Sequence, residues 1–404
     1  NISDIDSFCF SICRFESTAN GTPNFFFLGV IAKLVDTNNI DLAISLLQAA
    51  CRGKTSATPA SVWERLTRLL LKRKFEGDLD LAIDAAVQAM DYRQDTDEFN
   101  QSVGLLSKAL MARNNKGDLD QAIDILKKYL LMNSDLSDLD QLAVQLSFYL
   151  EKRSMEGDVS CAIEVLRSLL KNRFNISENN HVIEVRLSQI FENRGAINDL
   201  DIAIELLLEY FKKWVHTDLS VLAIRLSTLL EKRKKEGDID LAISILEKVR
   251  SSESTANFCA VTVRLSNVLE NRANENDLDR AILILNEAFE RTDTQNDSSV
   301  VVRLIDCLIL RGTESDVCRA IETGEVAMHR NLRSNHDGGI LLRIGRIRMK
   351  RNKFEDLSVT KTMLEREIER QNNSEDHKSS LHQLLLEVNS KIKKLAKFNA
   401  TKDS

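Results

Sequence analysis

Proline is almost absent from this chain of 404 residues, which contains only Pro23 and Pro59. Because proline interrupts helices, its scarcity beside a hydrophobic content of 43% and a charged content of 29% predicts a soluble and almost wholly helical protein. Long apolar runs are also missing, since none approaches the roughly 18 to 20 residues that a membrane-spanning helix requires. We therefore expect no membrane partner.

Cysteine is sparse, odd in number and scattered. The seven residues are Cys9, Cys13, Cys51, Cys161, Cys259, Cys307 and Cys318. This pattern argues against a disulfide framework and a paired-cysteine metal site, and it predicts reduced thiols in an intracellular, cytoplasmic protein. The first residues carry Asp4 and Asp6 and lack the basic and apolar regions of a secretory signal.

Catalytic motifs are absent as well. The sequence has no Walker-type phosphate loop, no Gly-x-Ser-x-Gly elbow, no zinc-ligand spacing and no dinucleotide fingerprint. The six histidines lack a recurring Cys, Ser or Asp partner. We therefore expect no catalysis, no cofactor and no metal site within these residues.

The chain instead contains one phrase, Gly-Asp-Leu-Asp-x-Ala-Ile, that recurs every 39 to 41 residues. Its copies begin at Asn38, Gly77, Gly117, Gly157, Asn198, Gly237, Asn276 and Ser315, and a degraded ninth copy surrounds Asp356. Self-similarity at this period marks a solenoid, in which each repeat buries its apolar face against its neighbours. We number the repeats in chain order and call the second residue of each phrase the turn position.

Apolar periodicity predicts two helices in every repeat. Residues twelve and eight places before the turn position are apolar, with Arg348 the single exception, and this spacing defines one face of a helix A. After the turn, residues such as Ile123, Leu126 and Tyr129 define an amphipathic helix B. Each repeat is therefore expected to be an antiparallel helix pair.

The phrase itself has a structural interpretation. The turn aspartate is placed to cap helix B, and the second aspartate lies in the first turn, where the helix dipole favours negative charge. The preceding Gly or Asn suits a left-handed conformation that ends helix A. The small alanine allows helix B to approach helix A closely.

These residues resemble the tetratricopeptide repeat (TPR) family, whose units carry Gly-Asp-Tyr-x-x-Ala-Ile. The resemblance covers roughly Pro23 to Met363, with a period of about 40 residues that is similar to kinesin-light-chain units rather than the common 34. It implies an all-α fold, an α-α superhelix or right-handed solenoid of about nine antiparallel helix pairs with a C-terminal capping helix. The expected domains are an irregular segment at 1–22, the TPR-like α-solenoid at 23–372, and the capping helix and tail at 373–404.

Arginine recurs at two positions of helix A. Five places before the turn stand Arg73, Arg113, Arg153, Arg194, Arg233, Arg272, Arg311 and Arg351, and thirteen places before it stand Arg65, Arg186, Arg225, Arg264, Arg303 and Arg343. One interpretation is a ladder of guanidinium groups for phosphate or carboxylate ligands. The interpretation that we favour is structural: the first set bridges to aspartates of a nearby turn, and the second pairs with glutamates of the neighbouring repeat.

The resemblance also implies a ligand groove. If the family geometry holds, the concave face is lined by helix A residues fourteen, eleven and seven places before the turn. These are Val144, Val185, Ile224, Val263 and Val302; Thr67, Ser107, Ser147, Ser188, Ser227 and Ser266; and Glu151, Glu192, Glu231 and Glu270. Such rows suit an extended or helical peptide with basic residues, but an ordinary solvated face has the same composition.

The last helix A carries a basic cluster with no acid inside it. Its members are Arg343, Arg346, Arg348, Lys350, Arg351 and Lys353. The cluster would dock an acidic protein or an RNA backbone, although a solvated terminal repeat is the simpler interpretation.

The leading functional hypothesis is a non-enzymatic scaffold that binds a protein or peptide partner in the groove. A helical-repeat RNA-binding protein is the first alternative, disfavoured by a formal net charge of −6 and an aromatic content of 5%. The second alternative is the regulatory or sensor segment of a larger enzyme.

Overall fold

The computed structural model describes residues 25–52, 60–91, 99–133, 139–172, 181–213, 218–252, 257–291, 297–330, 337–370 and 378–402. Within these ranges the chain forms nineteen α-helices and no strand. The A helices are Phe25–Asp36, Ala60–Arg73, Phe99–Arg113, Asp140–Arg153, Val182–Arg194, Ser220–Arg233, Phe258–Arg272, Ser298–Arg311 and Asp337–Arg351. The B helices are Ile40–Arg52, Asp78–Asp91, Asp118–Met132, Asp158–Asn172, Asp199–Lys213, Asp238–Arg250, Asp277–Glu290, Glu314–Arg330 and Phe354–Arg370, and Lys378–Lys402 ends the series.

The helices fall into two compact units. Unit 1 comprises residues 1–199 and unit 2 comprises residues 200–404. In unit 1 the consecutive helices from Phe25–Asp36 to Val182–Arg194 pack against each other, and in unit 2 those from Ser220–Arg233 to Lys378–Lys402 do the same. From repeat 2 onward within unit 1, and from repeat 6 onward within unit 2, helix A also contacts helix A of the next repeat. The predicted all-α array of nine A–B repeats followed by a terminal helix is therefore confirmed. The irregular segment predicted at 1–22 lies outside the described residues, and the predicted domain limits stay predictions.

The core of each repeat lies where the apolar pattern places it. The residues eight places before the turn are no more than 2% exposed: Leu70, Leu110, Leu150, Phe191, Leu230, Leu269 and Leu308. The alanine of the phrase is equally buried in helix B, at Ala43, Ala82, Ala122, Ala162, Ala203, Ala242, Ala281 and Ala320. A methyl group leaves room for the packed helix A, so the alanine sets the close spacing of the two helices.

The turns of repeats 2 to 7 each contain two left-handed residues, and their roles differ from the expectation. Helix A ends earlier, as in repeat 4, where Ser154 has φ 55° and its N–H donates to the Leu150 carbonyl at 3.0 Å. The glycine of the phrase is instead the residue just before helix B, as shown by Gly117 with φ 90°. The left-handed glycine therefore starts helix B and does not end helix A.

The turn aspartate also has a different role from the predicted cap. Asp118 is the first residue of its helix B, and its carboxylate accepts from the backbone N–H of Asn115 at 2.8 Å. The Asp118 N–H in turn donates to the Asn115 carbonyl at 3.1 Å. The aspartate therefore closes the turn between the helices and leaves the first amides of helix B uncapped by its side chain.

The terminal helix covers the last repeat, as predicted. Leu381, Leu384 and Val388 are buried in one cluster with Leu341 and Leu357 of repeat 9. This contact supplies the apolar partner that an open end of a helical array lacks. No described helix combines the length and apolarity needed to span a bilayer.

Candidate functional site

Arginine five places before the turn joins two successive repeats. In repeat 6, Arg233 donates from Nε to Asp238 Oδ2 at 3.0 Å and from Nη2 to Asp238 Oδ1 at 2.5 Å. Its Nη1 donates to Asp201 Oδ1 of repeat 5 at 2.9 Å. The same double contact occurs at Arg73, Arg113, Arg153, Arg272 and Arg311.

These contacts fix the charge state of the turn aspartates. Hydrogen bonds from the arginine lower the pKa of Asp78, Asp118, Asp158, Asp199, Asp238, Asp277 and Asp316 below the ordinary value of 3.8. The first interpretation, a guanidinium ladder for ligands, is wrong for the doubly paired arginines. Their N–H groups already donate to aspartates of the same repeat and of the preceding repeat. The structural interpretation is confirmed.

Two members of the series lack the second contact. In repeat 4 the second aspartate of the phrase is replaced by Ser160, and in repeat 8 it is replaced by Cys318. Among the described residues, the arginines that follow them, Arg194 and Arg351, form ion pairs only with the turn aspartates of their own repeats. Sequence reasoning overlooked these gaps, although the replaced residue was visible in each phrase.

The arginine thirteen places before the turn forms a second network between neighbouring A helices. Arg264 donates from Nε to Ser227 Oγ at 2.8 Å and from Nη2 to Glu231. Asn271 completes the arrangement by donating to the other oxygen of Glu231 at 2.8 Å. Arg186 with Ser147 and Glu151, and Arg303 with Ser266 and Glu270, repeat this pattern. The predicted pairing with glutamate of the neighbouring repeat is confirmed for these three.

The hydroxyl row of the predicted groove is corrected by this geometry. No member is more than 1% exposed: Thr67, Ser107, Ser147, Ser188, Ser227 and Ser266. At Ser147, Ser227 and Ser266 the arginine of the next helix A donates to the hydroxyl, so a short side chain is needed there. The row therefore belongs to the contact between repeats and does not line an open surface.

The glutamate row is only partly exposed and is largely paired. Glu151, Glu231 and Glu270 each bind an arginine of the next repeat, and Glu192 is half-buried with polar interactions of its own. A carboxylate already paired with a guanidinium offers little net charge to a basic ligand. The row therefore does not form the acidic surface expected for a basic peptide.

The aliphatic row is the part of the predicted groove that remains open. Val185, Ile224 and Val263 are half-buried, as are Val144 and Val302 at the same repeat position. Two larger apolar side chains on A helices are more open, since Phe148 is 49% and Val221 is 44% exposed. Neither was predicted, because neither recurs from repeat to repeat.

The basic cluster of repeat 9 is half occupied by internal contacts. Arg343 donates to both carboxylate oxygens of Asp306, and Arg351 pairs with Asp356. Arg348 is buried and pairs with Glu325. Only the remaining members, Arg346, Lys350 and Lys353, are exposed. The predicted patch of six cations is therefore corrected to one of three.

Comparison with known proteins gives matches among solved structures. No known protein family matches the sequence, and no curated protein does. A monomeric mutant of IFIT1 with Gppp-AAAA is 12% identical, with coverage of 93% of this chain and 82% of that chain and a TM-score of 0.44. A tetratricopeptide repeat protein from Parabacteroides merdae is 14% identical, with 71% and 99% coverage and a TM-score of 0.37. The APC/C hetero-tetramer Cut9-Hcn1 is 13% identical, with 83% and 57% coverage and a TM-score of 0.35.

These likenesses are distant, so the class of the protein depends on the chain's own helix pairs and repeated phrase. Both features define an all-α helical-repeat protein. Among the described residues, no group of three or more His, Cys, Asp or Glu side chains has the arrangement of a metal site.

Proposed function

We propose that this chain is a protein-binding scaffold whose A helices present an apolar surface to a segment of another protein. The observation that supports the proposal is the half-buried aliphatic row. In unit 2 it consists of Ile224, Val263 and Val302, at the same position of three successive repeats. The serines and glutamates near this row are bound to arginines of the next repeat. The aliphatic row is therefore the recurring feature that these contacts do not occupy.

The chemistry of the surface favours an apolar segment over a basic one. Arg264 and Arg303 neutralise Glu231 and Glu270 beside the row. An amphipathic helix would place side chains at intervals of three and four residues along such a row. Burial of aliphatic surface, at about 25 cal/mol per Å², would then supply most of the binding free energy.

The internal networks also reduce the cost of binding. At three junctions an A helix is held to the next one by an arginine, a serine and a glutamate, as at Arg264, Ser227 and Glu231. A surface that is rigid before the partner arrives loses little conformational entropy on binding. Many weak contacts along successive repeats would therefore add up.

The test places charge in the row. Ile224→Asp and Val263→Asp, together, are expected to remove partners that affinity purification and mass spectrometry recover with the unmodified chain. Leu283→Asp is the matched control, because Leu283 is 58% exposed on a B helix outside the row. If the double variant stays helical and keeps the same partners as the control, the surface assignment is wrong. Reversal of Glu231 is unsuitable, since it would break the Arg264 pair.

RNA binding is the weaker alternative. The doubly paired arginines are engaged with aspartates, and the exposed members of the basic cluster are reduced to Arg346, Lys350 and Lys353. We expect no binding of single-stranded RNA in a filter assay at low salt, where phosphate contacts are strongest. Affinity that falls with rising salt would favour the alternative. A role as the regulatory or sensor segment of a larger enzyme would be recognised from the full open reading frame.

A further inference from the structure

The ladder of ion pairs has one gap inside unit 1, at the junction of repeats 4 and 5. At the preceding junction, Asp120 accepts from Arg153 Nη1 at 3.0 Å. Ser160 stands in the place of that aspartate, and Arg194 stands in the place of the arginine. Arg194 Nε donates to Asp199 at 2.9 Å and Nη2 also donates to Asp199, whereas Nη1 has no hydrogen-bond partner in the part of the chain that the structure describes.

The gap leaves a cation open at a junction where a hydroxyl stands in the place of the carboxylate. The Arg194 side chain is 38% exposed, compared with 20% for Arg153, which has both aspartates. Ser160 is exposed too. It is the third residue of helix B Asp158–Asn172, so the partial positive charge of the helix N-terminus acts at the same place.

We propose that Ser160 is a phosphorylation site and that its phosphate replaces the missing aspartate as the partner of Arg194. A phosphate carries a charge of about −1.5 to −2 and three acceptor oxygens, and it is stabilised at a helix N-terminus and by arginine. The other junctions supply the precedent, since a carboxylate at this position binds the arginine of the next repeat in Asp80, Asp120, Asp201, Asp240 and Asp279.

The reaction is the transfer of the γ-phosphoryl group of ATP by a protein kinase. A bond forms between the γ-phosphorus and Ser160 Oγ, the bond to the β–γ bridging oxygen breaks, the hydroxyl proton passes to the kinase base, and ADP leaves. Glu156 and Glu164 flank the serine, and residues 154–166 contain no lysine or arginine. This charge pattern fits a kinase with a basic substrate groove. Ser160 becomes accessible when the first turn of its helix frays.

The chain provides a matched control for the effect of position. Ser358 occupies the same place in repeat 9 and is also exposed near the start of its helix, Phe354–Arg370. The terminal helix follows it, so no further repeat supplies an arginine five places before a turn. Ser358 is the fifth residue of its helix, so a phosphate there lacks the arginine of a next repeat and also lies beyond the first turn.

The physical part of the proposal is tested on the full chain with phosphoserine incorporated at 160 or at 358. A phosphorus NMR titration should give a second phosphate pKa about 0.5 lower at 160 than at 358, because Arg194 stabilises the dianion. In an Arg194→Gln background the phosphate pKa at 160 should rise, while the phosphate pKa at 358 should stay unchanged. Equal values at 160 and 358 in the unmodified background would overturn the pairing, even if the Arg194 variant fails to fold.

The biological part is tested by modification in cells that produce the chain. The chain is purified with phosphatase inhibitors, and unphosphorylated chain and its Ser160→Ala variant are incubated with ATP and an extract of those cells. Tandem mass spectrometry should find phosphate on Ser160, and the variant should lose that peptide's label. Labelling of other serines with Ser160 unmodified in both preparations would overturn the proposal.

Discussion

Arg113 and Asp118 form a two-point ion pair across the turn of repeat 3, with Nε to Oδ2 at 3.0 Å and Nη2 to Oδ1 at 2.7 Å. The carboxylate is almost fully buried, whereas the arginine keeps a second, exposed partner in Asp80 of repeat 2. One guanidinium therefore holds the turn of its own repeat and the start of helix B in the preceding one. The inner and outer contacts differ in solvent exposure, which makes their contributions separable.

We expect Asp118→Asn to lower the free energy of unfolding by about 2 kcal/mol, because it leaves a partly buried cation without its main partner. Asp80→Asn should cost less than about 1 kcal/mol, since Asp80 is 68% exposed and its pair is screened by solvent. Urea unfolding followed by circular dichroism measures both. Equal losses of unfolding free energy in the two variants would show that burial of the Asp118 contact does not make it stronger than the exposed Asp80 contact.

Acid should weaken the fold through the turn aspartates. Arg272 lowers the pKa of Asp277 below 3.8 by hydrogen bonding, so the folded value lies below the unfolded one. The stabilising contribution is therefore complete above the unfolded pKa and is lost as the pH falls from about 4 toward the folded value. We expect the thermal midpoint to fall steeply over this range and less steeply in Asp277→Asn. Parallel pH profiles would contradict this linkage.

At positions with a positive φ, the effect of a substitution on stability should depend on whether the new residue tolerates that conformation. Gly117→Ala is expected to cost about 1 kcal/mol, because φ is 90° there and a Cβ disfavours this conformation. Gly117→Asn should cost less, since Asn198 and Asn276 adopt φ 70° and 71° at the same repeat position. In the opposite direction, Ala273→Gly should raise the thermal midpoint, because Ala273 has φ 53°. A loss of stability in Ala273→Gly would contradict this explanation.

Two thiols should differ in reactivity. Burial raises the pKa of Cys307 to about 11, whereas Cys318 is exposed. Alkylation of the native chain at pH 8 should modify Cys318 long before Cys307, because the thiolate is the reactive form and Cys307 is also inaccessible. Peptide mass spectrometry after timed quenching measures both rates, and unfolding in urea should equalise them. Rapid native labelling of Cys307 would show that its helix opens readily.

The helices and the arginine–aspartate contacts were predictable from sequence, whereas the burial of the hydroxyl row was not, and the groove stays a prediction. Leucine at fixed offsets encodes burial directly, and arginine recurs together with its aspartates in the same phrase. Ser227 was predicted to line a surface because serine is common on surfaces. It is buried because helix A of the next repeat packs over it. That contact depends on how repeats stack, and the periodicity within one helix does not contain this information.

A clearer signal lay in pairs of positions from successive repeats. Gln145 stands where other repeats have Arg264 or Arg303, and it donates to Ser107 Oγ at 2.5 Å. The repeat before it carries Met111 in place of the glutamate. At this junction a neutral donor follows a repeat without the acid, whereas Arg186, Arg264 and Arg303 follow repeats that carry it. Comparison of the repeats by junction would have revealed the network.

These matched junctions mean that the repeats cannot be exchanged freely, although they share one phrase. Removal of repeat 4 by recombination would place the buried Arg186 after Met111 and take away its partner Glu151. The fusion would retain the correct period, the same helices and an intact phrase on each side, yet it would bury a cation without a counter-charge. The order of the repeats is therefore constrained. A whole repeat can be lost or gained without burying an unpaired charge only where any arginine at the new junction again lies opposite a glutamate.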